Sequence, residues 1–228
     1  LAFEETILNQ FRASMSSIKA SASLKNELLA YQRDFYQSVR RKKAKGHYLA
    51  TIEGDKTRLT EFARVLSGHQ ITVELLAKDA TFDGTEYKAG ATLAIPADQI
   101  QSTYLNAIWR RQLNFQENVF YDVSTWTLPL AFGLTHTIEP VRGVATEKLS
   151  EQLSPQSKEL IRSSIGYLVD WRDSATPKLL YQLFDTEVKI RVATRPLTAN
   201  IKRQGVRSFG YGTLFVSPKL TEDFPEDA

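Results

Sequence analysis

His47-Tyr48-Leu49-Ala50-Thr51-Ile52-Glu53-Gly54-Asp55-Lys56-Thr57-Arg58-Leu59-Thr60-Glu61-Phe62-Ala63-Arg64-Val65-Leu66, followed by Ile71 to Ala77, is the stretch that decides the fold. Tyr48 to Ile52 is a short β-prone run. Lys56 to Leu66 places Leu59, Phe62, Ala63 and Leu66 on one helical face, and Ile71 to Ala77 is β-branched and apolar again. Strand, helix and strand within about 30 residues make a βαβ unit, expected to be right-handed with parallel strands. Phe82-Asp83-Gly84 then reads as a turn, and Tyr87 to Pro96 as a further strand closed by proline.

The same grammar returns in the second half. Gly166-Tyr167-Leu168-Val169-Asp170 answers His47 to Thr51, and a helix from Ala175 to Phe184, with Pro177 in its first turn, answers Lys56 to Leu66. Val188 to Ala193 answers Ile71 to Leu76, and Gly212 to Pro218 answers Ala91 to Pro96. Tyr48 and Tyr167 lie 119 positions apart, Val73 and Ile190 117, and Thr92 and Thr213 121. Elements that keep order, type and spacing in this way indicate a duplicated unit.

The first 45 residues read as a helical arm. Phe3, Ile7, Phe11, Met15, Ile18 and Ala22 recur at helical spacing, and Leu24, Leu28, Tyr31, Phe35 and Val39 continue the pattern. Two helices meeting near residue 22, with Ser23 as N-cap, and one long helix both fit. Arg40, Arg41, Lys42, Lys43 and Lys45 sit where cations suit the C-terminal end of a helix, with Gly46 as the stop, so the basic run does not call for nucleic acid. Between the repeats, Ile100 to Gln112 reads as a helix burying Tyr104, Leu105, Ile108 and Trp109. The aromatic string from Phe120 to Leu134 follows, then a polar, exposed connection over 135–164 and an acidic tail from Thr221 to Ala228. The expected architecture is α/β: a helical arm (1–45), a first α/β unit with the aromatic segment (46–134), and a connection with a second unit (135–228). The two related halves each contain a βαβ, with a mixed sheet that is either continuous through both or separate in each.

Composition narrows the chemistry. The 228 residues carry 42% hydrophobic and 24% charged side chains, ordinary for a packed protein, and a net charge of +3. With 0 cysteines there is no disulfide framework, thiolate ligand or cysteine nucleophile. No apolar run approaches the roughly 18 residues needed to span a bilayer, and no signal-peptide core is present. The chain begins at Leu1, already in helical pattern by Phe3, and reads as a piece of a longer protein.

His136-Thr137-Ile138-Glu139 fits a His-x-x-Glu zinc pair, but no histidine follows to act as third ligand and Pro140 places the motif in a loop, so it is read as structural. There is no Gly-x-Ser-x-Gly elbow and no glycine-rich phosphate loop. No catalytic, cofactor or metal residue is assigned. Tyr121 and Trp126, beside Leu128 to Leu130, line either a pocket or the packing between subdomains, with Asp122 capping the turn Val123 to Trp126. Asp170 and Arg172 follow the first strand of the second repeat, where open α/β sheets place ligands. Tyr121, Asp122, Trp126, Asp170 and Arg172 are therefore the candidate binding residues. An enzyme built on Asp122 and Asp170 would need those acids to converge in one cleft.

Leu28-Leu29-Ala30-Tyr31-Gln32-Arg33-Asp34-Phe35-Tyr36, the strand from Gly90 to Pro96, Tyr121-Asp122-Val123-Ser124-Thr125-Trp126-Thr127-Leu128-Pro129-Leu130 and Gly166-Tyr167-Leu168 carry a family resemblance. Together, and in this order over most of the chain, they resemble the region downstream of the peptidase domain in large bacterial zinc carboxypeptidase-like proteins. In that family the zinc ligands and the catalytic glutamate lie in the preceding domain, and an amidotransferase-like region can follow. The chain carries neither motif set. The resemblance implies a secreted or periplasmic parent that removes C-terminal residues from peptides. This chain would be a non-catalytic accessory domain without a cofactor of its own, whose partners are the peptidase domain of the same polypeptide and peptide substrate. The alternative is an independent module that binds a peptide or cell-wall fragment.

Overall fold

The computed structural model describes residues 3–41, 44–111, 127–149, 161–186 and 188–217, and it is an α/β structure preceded by a helical arm. The arm consists of α1 (Phe3–Ser23) and α2 (Lys25–Arg41). The junction at Leu24 keeps the helical ladder, with Leu24 N–H donating to the Ala20 carbonyl at 2.8 Å and Leu28 N–H to the Leu24 carbonyl at 2.9 Å. Ser23 is not an N-cap, because its hydroxyl donates backwards to the Lys19 carbonyl at 2.9 Å.

The first half runs β1 (His47–Thr51), α3 (Lys56–Gly68), β2 (Glu74–Leu76), a hairpin of β3 (Ala80–Phe82) and β4 (Thr85–Tyr87), and β5 (Thr92–Pro96). The connection that follows contains α4 (Ser102–Trp109), a single turn α5 (Leu128–Ala131), β6 (Thr135–His136) and β7 (Thr146–Lys148). These strands form one five-stranded sheet in the order β6-β1-β5-β2-β7. β1 and β2 run parallel to one another, as a βαβ unit requires, but they do not pair directly. β1 and β2 both run antiparallel to β5, which lies between them, so the βαβ is split by an inserted strand. A turn over Lys88 to Ala91, where Gly90 takes φ +66° and Ala91 N–H donates to the Lys88 carbonyl at 3.3 Å, divides the expected Tyr87 to Pro96 strand into two. Every strand pairing among the described residues is antiparallel, in place of the mixed sheet expected. The polar connection also contributes β6 and β7 as the two edge strands, so the first sheet extends through Lys148, beyond residue 134.

Alternation along the strands explains how both faces of this sheet are filled. Tyr48, Ala50, Leu93 and Ile95 point to one side, where they meet Leu59, Phe62, Ala63 and Leu66 of α3 and Leu105 and Trp109 of α4. Leu49, Ala94 and Leu76 point to the other side and meet Tyr87 and Phe82 of the β3–β4 hairpin. Tyr48 and Trp109 stack with centroids 4.8 Å apart, and the Tyr48 hydroxyl donates to Asn106 Oδ1 at 2.8 Å. Of the residues assigned to the α4 face, Leu105 and Trp109 are fully buried, whereas Tyr104 is 38% exposed and rests on His69.

The second half repeats the plan: β8 (Tyr167–Val169), α6 (Thr176–Phe184), β9 (Ile190–Val192), a hairpin of β10 (Leu197–Ile201) and β11 (Gly205–Phe209), and β12 (Leu214–Val216). Its three-stranded sheet has the order β8-β12-β9, the counterpart of β1-β5-β2. Even the registers agree. Tyr48 opposes Ile95 as Tyr167 opposes Val216, and Leu75 opposes Leu93 as Val192 opposes Leu214. The offsets of 119, 117 and 121 residues read from the sequence are therefore those of the two hydrogen-bonded ladders, and the two copies form separate sheets.

Candidate functional site

The two copies meet at equivalent positions. α3 needs an N-cap, and Asp55 supplies it, accepting from Arg58 N–H at 2.9 Å through Oδ1 while Arg58 Nε lies 2.9 Å from Oδ2. The same Oδ1 accepts from the second copy, from Ser174 N–H at 3.2 Å and the Ser174 hydroxyl at 3.0 Å. Asp55 is 1% exposed, so these bonds form in a shielded setting. Two residues earlier, Glu53 Oε1 accepts from Arg172 Nη1 at 3.3 Å. Asp55 to Ser174 and Glu53 to Arg172 are both separations of 119 positions, the offset that relates β1 to β8. Contacts between a position and its own counterpart mark the centre of a self-complementary interface.

Asp170, one of the candidate binding residues, is held by its neighbour Arg172. The guanidinium donates through Nη2 to Oδ2 at 2.7 Å and through Nε to both carboxylate oxygens at 3.1 Å. Arg172 N–H adds a bond to Oδ1 at 3.0 Å. The side-chain hydrogen bonds from Arg172 hold the Asp170 carboxyl below the ordinary aspartate range, outweighing its partial burial. Gly54 makes room for this arrangement. With φ +79°, a Cβ there would lie 2.9 Å from Arg172 Nε.

A cleft of about 960 Å³ opens beside this junction. Ile52, Leu59, Leu168 and Leu179 give it an apolar lining, with Glu53, Lys56, Glu86, Lys88, Asp170 and Arg207 around them. Lys88 is engaged with Asp79 at 3.1 Å and also with Glu86. Backbone donation from Ala89, reinforced by Lys88, keeps Asp79 below the ordinary aspartate range. Each copy contributes a strand end, a helix start and its hairpin to the cleft.

Asp170 and Arg172 thus lie together at the junction, with Asp170 lining the cleft. Tyr121, Asp122 and Trp126, and the turn that Asp122 was expected to cap, lie outside the described residues. The described end of the aromatic string packs as core, with Phe132 against Phe62 at 5.2 Å and Leu134 buried. His136 lies in β6, with Nδ1 2.9 Å from the Leu134 carbonyl and its ring edge-on to Trp109 at 5.9 Å. The next residue, Thr137, accepts from Trp109 Nε1 at 2.7 Å through its carbonyl. Among the described residues no three His, Asp or Glu side chains converge on a point that a metal ion could occupy. Asp55 and Ser174 were not singled out in the sequence. The signal was present as an Asp directly before the first helical residue, with Ser174 as its counterpart at the repeat offset. No family model, curated protein or solved structure matches this chain.

Proposed function

We propose that this chain is a non-catalytic accessory region of a zinc carboxypeptidase-like protein, packing on the peptidase domain of the same polypeptide and supporting it. The observation that carries the reading is the unequal closure of the two copies. The first is sealed by α4, α5 and the edge strands, with Trp109, Phe62 and Leu66 at 0–1% exposure. The second leaves Tyr181 and Phe184 of α6 at 71% and 69% exposure and Val206 and Tyr211 at 72% and 69%. Large apolar side chains left in water mark surfaces that a partner covers. The strand-end acids fit the same role, since Asp55 and Asp170 are engaged in joining the copies and holding their local turns. Zinc, on this reading, belongs to the peptidase domain, and location in the periplasm or outside the cell follows the parent.

A second reading, a module that binds a peptide or cell-wall fragment, is favoured by the cleft itself. Its apolar lining suits side chains, and the basic Lys56 and Arg207 together with the acidic Glu53 and Glu86 around it suit the two ends of a short zwitterionic chain. The experiment is capture of residues 1–228 by the separately produced peptidase domain of the parent. Binding that falls at least tenfold in Tyr181→Asp/Phe184→Asp is expected, with the circular dichroism spectrum unchanged. Absence of binding, or binding indifferent to that pair, overturns the reading. Peptide binding abolished by Lys56→Glu/Arg207→Glu would move the function to the cleft.

A further inference from the structure

The arm carries an apolar stripe that none of the described residues covers. α1 spans 21 residues, about 31 Å at 1.5 Å per residue, and none of them is buried. Phe3 is 80% exposed, Ile7 55%, Phe11 62% and Ile18 63%, with Leu8 and Met15 beside them. Six such side chains leave on the order of 600 Å² of largely apolar surface. That is at the upper limit for an uncovered patch on a monomer and close to the roughly 800 Å² that each partner contributes to a stable interface.

Charge placement selects the occupant. Glu4 lies at the start of α1 on the line of the stripe, one heptad before Phe11, and Glu5 lies beside it on the flank that Lys19 occupies near the other end. A second copy laid parallel would set Glu4 and Glu5 against their own counterparts and Lys19 against Lys19. Laid antiparallel about Phe11, it brings Phe11 against Phe11, Ile7 against Met15 and Phe3 against the Ile18–Lys19 turn. The acidic start of each helix then lies beside Lys19 of the other, twice by symmetry. Arg12, on the outer border of the stripe, faces its own copy near the axis, and this repulsion opposes part of the gain. We propose that α1 is a self-association surface through which two copies of this chain pair as an antiparallel helical dimer. The pairing is isologous and closes on itself, so it stops at two chains. It also accounts for a long helix none of whose residues is buried, since most helical stability in proteins comes from packing an apolar face.

The test is the mass of residues 1–228 in solution, measured by light scattering at micromolar to 100 micromolar chain. Twice the 25.8 kDa of one chain is expected, falling to one chain in Phe11→Asp with the thermal transition of the α/β halves unchanged. The natural sequence has 0 cysteines, so single-cysteine variants report the geometry directly. Phe11→Cys should form a disulfide-linked dimer on mild oxidation, whereas Phe3→Cys should not, its two copies being about 24 Å apart in the antiparallel register. Glu4→Lys/Glu5→Lys should weaken pairing, and adding Lys19→Glu should restore it. A single-chain mass throughout the range overturns the proposal, even if the arm binds another domain of the parent. A dimer indifferent to Phe11→Asp, or cross-linked equally well through Phe3→Cys, overturns it as well.

Discussion

Replacing Asp55 by Ala removes several interactions at one point, and the loss can be worked from the contacts. The N-cap bond to Arg58 N–H contributes about 1 kcal/mol, with 0.5–2 the usual range. The two bonds from Ser174 contribute about 0.5–1.5 kcal/mol each, and the acceptor they lose is buried. The Arg58 contact adds little, because that side chain is 40% exposed. The sum is a loss of about 2–4 kcal/mol, a large part of the stability of a small protein. Urea denaturation followed by far-ultraviolet circular dichroism measures it. Ser174→Ala removes only the hydroxyl bond, so a double-mutant cycle with Asp55→Ala should return a coupling of about 1 kcal/mol. Because Asp55 also joins the copies, its removal should separate their transitions, with the less closed second copy melting first. A loss below about 0.5 kcal/mol, or strict additivity with Ser174→Ala, would refute the junction described here.

Phe62→Ala empties a site between Trp109 and Phe132 and should cost about 3–5 kcal/mol, read as a lower urea midpoint. Gly46→Ala places a Cβ 2.5 Å from the Val141 carbonyl oxygen at φ +105°, so a loss of roughly 2 kcal/mol or more is expected in the same assay. Asp170 is held below its ordinary range by Arg172, so its contribution is complete above the unfolded pKa of about 3.9 and is lost as pH falls through the lower folded value. The stability difference between the natural chain and Arg172→Met should therefore be level from pH 7 to about 5 and shrink below about 4. Its size is under about 1 kcal/mol, since the guanidinium is 43% exposed.

Much of this fold was legible because its signals are local. Leu59, Phe62, Ala63 and Leu66 at helical spacing, and the repeat offsets from Tyr48, Val73 and Thr92, needed no tertiary knowledge. Strand order was not legible, because a strand pattern does not say which neighbour it pairs with. The helix between β1 and β2 matches a parallel crossover whether or not β5 enters between them. The edge strands Thr135–His136 and Thr146–Lys148 were missed for a related reason. They are two and three residues long, half-exposed and polar, and pairing to β1 and β2 holds them in place more than any propensity of their own. Asp170 and Arg172 were named from their position after a strand, and the structure places them at the junction, bonded to each other. The bond from Ser174 to Asp55 depends on how the copies face each other, which periodicity does not encode.

The most direct test of the proposed accessory role is peptidase activity of the proposed full-length parent with and without residues 1–228, beside the zinc content and activity of this chain alone. The account predicts that the isolated chain is inert and free of stoichiometric zinc, while its deletion lowers the activity or stability of the parent. Peptide cleavage or stoichiometric zinc binding by the isolated chain, or a parent indifferent to the deletion, would contradict it.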